Sequence, residues 1–197
     1  YFRIYSRKNH APNGLFSIRA CAKTLYKQQL ERKNNILQQQ FHVSRPNEVW
    51  VSDVTYFSVF NRMYYICVII DLYARKVIAY KISKHNSTQL TKATVKSAYE
   101  TRMPIGELLF HSDQGCSYTS NQFRKYLKSI NIKQSFSNPG MPYDNSVMES
   151  FFGSFKREAL YRYHFKTEKD FFRGVDTYMA FYNERRPHSV LMNQTPS

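Results

Sequence analysis

Hydrophobic patterning from Glu48 onward predicts an ordered α/β domain. Segments 49–60, 62–73 and 76–83 are rich in β-branched and aromatic residues, and the connections between them are too short for a crossover helix. Three such strands must form an antiparallel meander. The middle one contains MYYICVII, a continuous apolar run that predicts a strand covered on both faces. Helical spacing follows from about Ser87 to Arg102, then a short strand LLFHS, a helix from about Asn121 to Asn131, and a brief strand near Lys133 to Ser137. The order βββαβαβ then passes into two long helices. The first begins near Asp144 and carries Val147, Met148, Phe151, Phe152, Phe155 and Ala159 along one stripe, with Asn145, Glu149 and Lys156 on its rim. The second opens on the capping pattern Thr167, Glu168, Lys169, Asp170 and stops at Pro187.

Residues 1–45 differ in texture. They hold nine Lys or Arg and a single acid, Glu31, with Leu15, Phe16, Ile18, Ala22, Leu25 and Tyr26 at helical spacing. This predicts a basic, partly helical arm at 1–45 followed by a catalytic-size domain at 46–197. The chain opens on Tyr1, as a fragment or the product of a fused frame would.

Charge narrows the class of partner. The formal net charge of +15 and a pI near 9.8 favour a polyanion, and nucleic acid over a membrane surface. The longest apolar run, Tyr64 to Ile70, is far below the roughly 20 residues needed to span a bilayer. A soluble, intracellular protein is expected. Cys21, Cys67 and Cys116 lie far apart without a CxxC or paired His, so reduced thiols are expected, with neither a disulfide framework nor a zinc site.

Three acids stand in distinctive settings: Asp53 in WVSDVTYF, Asp113 in LLFHSDQG and Glu149 in YDNSVMESFFGSFK. Phosphodiester chemistry commonly uses two Mg²⁺ ions about 4 Å apart, held by a few carboxylates and the substrate's phosphate. Asp53 lies within an apolar strand, where an unpaired carboxylate is costly and calls for a partner or a metal. Asp113 precedes Gln114 and Gly115, which equally suits a strand-end turn. Asp71 in VIIDLYAR also ends a strand, but reads as a turn stabiliser. His111 suits a packed core histidine as well as a supporting role near Asp113. Tyr182, Asn183, Arg185, Arg186, Pro187 and His188 suit either a helix terminus or, through Arg185 and Arg186, a DNA backbone.

These motifs resemble the retroviral-integrase-like DDE transposases of bacterial insertion sequences, in particular the catalytic products of elements encoded in two overlapping frames. The likeness runs from about Asn35 to the end, through WVSDVTYF, VIIDLYARKVIAY, HSDQGCSYTS, NPGMPYDNSVMESFFGSFKREAL and YNERRPHSVL. Between Asp113 and Glu149 lie 35 residues, the family's spacing, and Lys156 matches its basic residue seven further on. The resemblance implies an RNase H-like fold. It makes Asp53, Asp113 and Glu149 the catalytic and metal-binding triad, with Mg²⁺ as cofactor, Mn²⁺ able to substitute, and Asn145 and Lys156 contacting DNA or ordering the site. It also implies cleavage at element ends, transfer of the 3′ hydroxyl into target DNA, and a homo-multimer on DNA. A hydrolytic RNase H-like nuclease and a truncated, non-catalytic DNA-binding product are the alternatives.

Overall fold

The computed structural model describes residues 34–196, so the arm expected at 1–33 and Cys21 lie outside the described residues. Five strands form one mixed sheet in the order β3-β2-β1-β4-β5. They are β1 (Val49–Val59), β2 (Arg62–Asp71), β3 (Lys76–Ser83), β4 (Leu108–Ser112) and β5 (Ile132–Phe136). The first three pair antiparallel, as the short connections require, whereas β1–β4 and β4–β5 are parallel. The expected element order is reproduced, with helix α1 at Thr88–Arg102, a four-residue helix α2 at Cys116–Thr119, α3 at Asn121–Ser129, α4 at Ser146–Phe155 and α5 at Glu168–Glu184. Elements not anticipated include the short α2, the 3-10 turns Pro142–Asn145 and Ser189–Leu191, and a π turn, Lys156–Leu160, which continues α4.

Side-chain alternation sorts the core into two layers. Val49 and Val51 of β1, with Tyr64, Ile66, Val68 and Ile70 of β2, face Met148, Phe151 and Phe155 of α4 and Phe171, Val175 and Met179 of α5. Trp50 and Ile69 face the opposite way, toward Val95 and Ala98 of α1 and Phe123 and Leu127 of α3. The apolar run of β2 is therefore explained by two-sided burial.

Both outer strands of the sheet are met by other parts of the chain. Beyond β5, the Phe136 amide donates to the Asn34 carbonyl, and the Ser135 hydroxyl oxygen accepts from the amides of Ile36 and Leu37. Beyond β3, the side-chain amide of Asn183 on α5 accepts from the Val77 N–H and donates to the Val77 carbonyl, both at 2.9 Å. Asp71 is buried and holds the β2–β3 turn by accepting from the Tyr73 amide, as expected; it also pairs with Arg102 at 3.1 Å. Cys67 is buried and Cys116 exposed, and both are free.

The segment 34–45 packs within the compact unit Asn34–Ser197, with Leu37 buried among the residues under α4 and α5. Its clasp is Asp144, which is 2% exposed and sits in the 3-10 turn Pro142–Asn145 just before α4. Asn35 Nδ2 and the Asn138 amide donate to one carboxylate oxygen at 2.8 and 2.9 Å, and Gln39 Nε2 donates to the other at 2.7 Å. Burial opposes the Asp144 charge, but these hydrogen bonds outweigh it and hold the carboxyl below its usual range. Replacing Asp144 with Asn sets an amide against donors on at least one side. Asp144→Asn should therefore lower stability to urea by about 1–3 kcal/mol, the cost of a buried donor left unmet. An unchanged urea midpoint would remove Asp144 from this role.

Candidate active site

Parallel pairing of β1 with β4 ends at Ser52 opposite Ser112. One residue further along stand Asp53, within β1, and Asp113, just past β4, so the register brings the two acids side by side at the level where the parallel pairing ends. Beyond this level β1 continues paired only with β2. The open side of β1 forms the kind of crevice at carboxyl strand ends that ligands use in α/β sheets.

Asp53 is half-buried. One oxygen accepts from the Val54 amide at 2.7 Å and the other from Asn145 Nδ2 at 2.9 Å. Burial, then the charge of Asp113, raises its carboxyl to about 7 against an ordinary 3.8; Glu149 pushes the same way, and the two hydrogen bonds only partly oppose them. Asp113, from the end of β4, and Glu149, from the first turn of α4, thus both act on Asp53 of β1. Glu149 itself is exposed. Asp113 accepts from the Gly115 amide at 3.0 Å, so the turn it was also expected to stabilise is real. A Cβ on Gly115 would lie 3.0 Å from that carboxylate oxygen, which explains the absence of a side chain there.

Asn145 binds Asp53 through its amide nitrogen, while its oxygen is buried with no partner. Lys156 opens the π turn, with its ammonium 5.3 Å from the centre of the Tyr56 ring. Tyr56 follows Asp53 by three residues and is 59% exposed. Sequence reasoning passed over it because an aromatic within a strand reads as core.

His111 is a core histidine that positions the site. Nε2 lies 3.0 Å from the Asp144 carbonyl, which can only accept, so this nitrogen carries the proton. Nδ1 then accepts from the Ser135 hydroxyl at 2.9 Å. Burial keeps the ring neutral, pulling it down to about 4. The imidazole thereby ties β4 and β5 to the turn that launches α4. Arg186 and Arg185 part company. The Arg186 guanidinium donates to both oxygens of Glu158 and to the Ser154 hydroxyl, fixing the end of α5 to the π turn, whereas Arg185 is exposed and makes no ion pair.

Among the described residues no three His, Cys, Asp or Glu side chains are grouped closely enough to hold one metal ion. The chemistry of the donor set still fits a hard divalent cation. Its side chains offer oxygen alone, and Asp53 resists ionising in the absence of a positive neighbour. Asp53, Asp113 and Glu149 are the groups that could hold such an ion.

Comparison with known proteins gives this geometry a lineage. The integrase core domain family matches residues 43–142, and a second family of the same description matches residues 130–196. InsK of insertion sequence element IS150 from Escherichia coli (strain K12) is 37% identical over 162 residues, covering 82% of this chain and 57% of InsK. The chain belongs to the integrase core domain family. The transposase of insertion sequence element IS904 from Lactococcus lactis is 34% identical, covering 82% of this chain and 64% of the relative. The chain thus spans roughly three-fifths of the length of these curated relatives. The catalytic core domain of HTLV-2 integrase in complex with magnesium, in a dimeric form, superposes with a TM-score of 0.62 at 20% identity, covering 77% of this chain and 94% of that domain. The fold is accordingly RNase H-like. No helix among the described residues is long and apolar enough to cross a membrane.

The raised Asp53 carboxyl gives a signed expectation. A folded-state value near 7 against 3.8 means that the Asp53 contribution to stability is full below 3.8 and is lost as pH rises through 7. Without divalent ions the melting temperature should fall on going from pH 6 to pH 8, by a few degrees on the usual scaling of about 2–4 °C per kcal/mol. Asp53→Asn should flatten that fall, and millimolar Mg²⁺ should oppose it in the unsubstituted protein. Equal pH slopes for the two proteins would show that Asp53 ionises freely.

Proposed function

We propose that this chain is the catalytic part of a transposase that cleaves DNA at insertion-element ends and joins the freed 3′ hydroxyl to target DNA. The observation that supports this reading most directly is the half-buried Asp53 carboxylate, set beside Asp113 and within electrostatic reach of Glu149. Such a cluster is awkward alone and suited to binding divalent cations. Bound Mg²⁺, or Mn²⁺ in its place, would make the attacking oxygen more nucleophilic and offset charge on the leaving oxygen. Asp53 and Asp113 would hold it from the sheet and Glu149 from α4.

In cleavage, a water oxygen bonds to phosphorus as the bond to the 3′ oxygen breaks, giving a 3′ hydroxyl and a 5′ phosphate. In joining, that 3′ oxygen bonds to a target phosphorus as the target's own 3′ oxygen departs. Neither step requires a protein nucleophile, so no covalent protein–DNA intermediate forms. The chain's own side chains orient and screen. Asn145 fixes the Asp53 carboxylate, His111 keeps the launch of α4 in register with β4, and Lys156 lies along α4 from Glu149 where a backbone phosphate would pass. The setting would be the bacterial nucleoid, with more than one copy of the chain bridging two DNA ends. Of the basic arm expected at 1–45, residues 1–33 would add positive charge to the catalytic unit, which begins at Asn34 rather than at 46.

Supercoiled plasmid incubated with purified protein in Mg²⁺, Mn²⁺ or EDTA tests the assignment. Metal-dependent nicking and joining are expected, and both should disappear in Glu149→Gln while DNA binding persists, because the variant deletes a ligand charge and keeps the side-chain shape. Retained metal-dependent cleavage by Glu149→Gln would defeat the triad. Nicking without joined products would favour a hydrolytic nuclease, and binding without metal-dependent chemistry a DNA-binding product.

Lys156 and Tyr56 give a second expectation. A cation over an exposed ring contributes about 0.5–1 kcal/mol, so Tyr56→Ala should weaken DNA binding roughly two- to fivefold by releasing the Lys156 ammonium. Tyr56→Phe should retain the affinity. A Tyr56→Ala loss that persists undiminished in a Lys156→Ala background would separate the two residues.

A further inference from the structure

A cleft of about 1110 Å³ opens between the π turn, residues 162–166 and α5. Its lining contains none of Asp53, Asp113 and Glu149. Glu158, at its inner end, lies nine residues beyond Glu149, roughly 13 Å along the helix.

The charge in this cleft is unbalanced in an informative way. Arg162, Lys166, Arg173 and Arg185 line it, are exposed, and make no ion pair. Three acids share the lining. Glu158 is already committed to Arg186, whose hydrogen bonds hold that carboxyl below its usual range. Asp170 sits in the first turn of α5, where the helix N-terminus offsets its charge. Only Glu184 is left to answer four free cations. Three of those four are guanidinium groups, whose planar donors match phosphate oxygens in pairs. Tyr163 and Phe181 of the same lining are 62% and 40% exposed. Four unpaired cations gathered along one cleft are the electrostatic footprint that a nucleic-acid backbone seeks.

We infer that this cleft is a second DNA-backbone site, distinct from the carboxylate site and binding phosphates without metal. The inference shares with the proposed function the premise that DNA is the partner, but needs none of the triad chemistry. Arg162, Lys166, Arg173 and Arg185 contact successive phosphates along a strand, and the Glu158–Arg186 pair fixes the wall of the cleft against them.

Fluorescence anisotropy of a short labelled duplex with the full chain, in EDTA and across a KCl series, tests it apart from catalysis. The double variant Arg162→Ala with Arg173→Ala should bind about tenfold more weakly, and its plot of log affinity against log salt should flatten by about 1.8, since each phosphate contact carries a slope near 0.9. A control of equal charge change, Lys125→Ala with Lys128→Ala on exposed positions of α3, should alter both quantities far less. If the double variant melts early, Arg185→Ala carries the same test with a slope change of about 0.9. Equal affinity and slope in cleft variant, control and unsubstituted protein would overturn the inference while leaving the triad assignment standing. So would a cleft variant that binds DNA normally but loses self-association in sedimentation, which would give the cleft to a second copy of the chain. Absence of DNA binding by the unsubstituted protein would overturn both readings together.

Discussion

Two carboxylates placed side by side where the parallel pairing of β1 with β4 ends are the constraint around which the described structure is arranged. Once β1 and β4 pair in the register that sets Ser52 against Ser112, Asp53 and Asp113 must sit side by side. Their mutual repulsion and the partial burial of Asp53 cannot both be relieved by water. Among the described residues the surroundings meet this cost with hydrogen bonds, and no ion pair reaches either carboxylate. Asn145 and the Val54 amide donate to Asp53, the Gly115 amide donates to Asp113, and Glu149 adds further negative charge. An arrangement that concentrates unfavourable charge and leaves it unneutralised stores affinity for a positive ligand.

Much of this was legible in the sequence because the signals were local. Strand period, short connections and the two-sided apolar run fixed the meander, and the settings of Asp53, Asp113 and Glu149 marked the acids. Asp71 behaved as its turn context indicated, although its pairing with Arg102, 31 positions away, left no local trace. Long-range partnership is what the sequence concealed. Asp144 looked like the first residue of a helix, yet it gathers donors from Asn35 and Gln39, more than a hundred positions away. Arg186 looked free for DNA, and only the fold brings Glu158 beneath it. His111 carried two readings of equal weight on sequence alone, and burial with three polar contacts made it a structural tie.

The π turn after α4 illustrates how a small irregularity can have several effects. The Tyr161 amide bonds back to the Lys156 carbonyl at 2.8 Å, widening the helix where Lys156 leaves it toward Tyr56. In the same turn Glu158 receives Arg186, which anchors the end of α5. Helix α4 therefore carries Glu149 at its start and a docking point for the C-terminal segment at its end.

The treatment of the outer strands has a consequence for crowding. Asn183 takes up both backbone groups of Val77 on β3, and the Asn34 carbonyl takes up the Phe136 amide on β5, so each outer strand is occupied at one position. Copies of a strongly basic protein collect at high local density wherever a long polyanion runs. Strand-to-strand stacking of such copies would first have to displace Asn183 from β3 or Asn34 from β5, an added cost to open-ended growth.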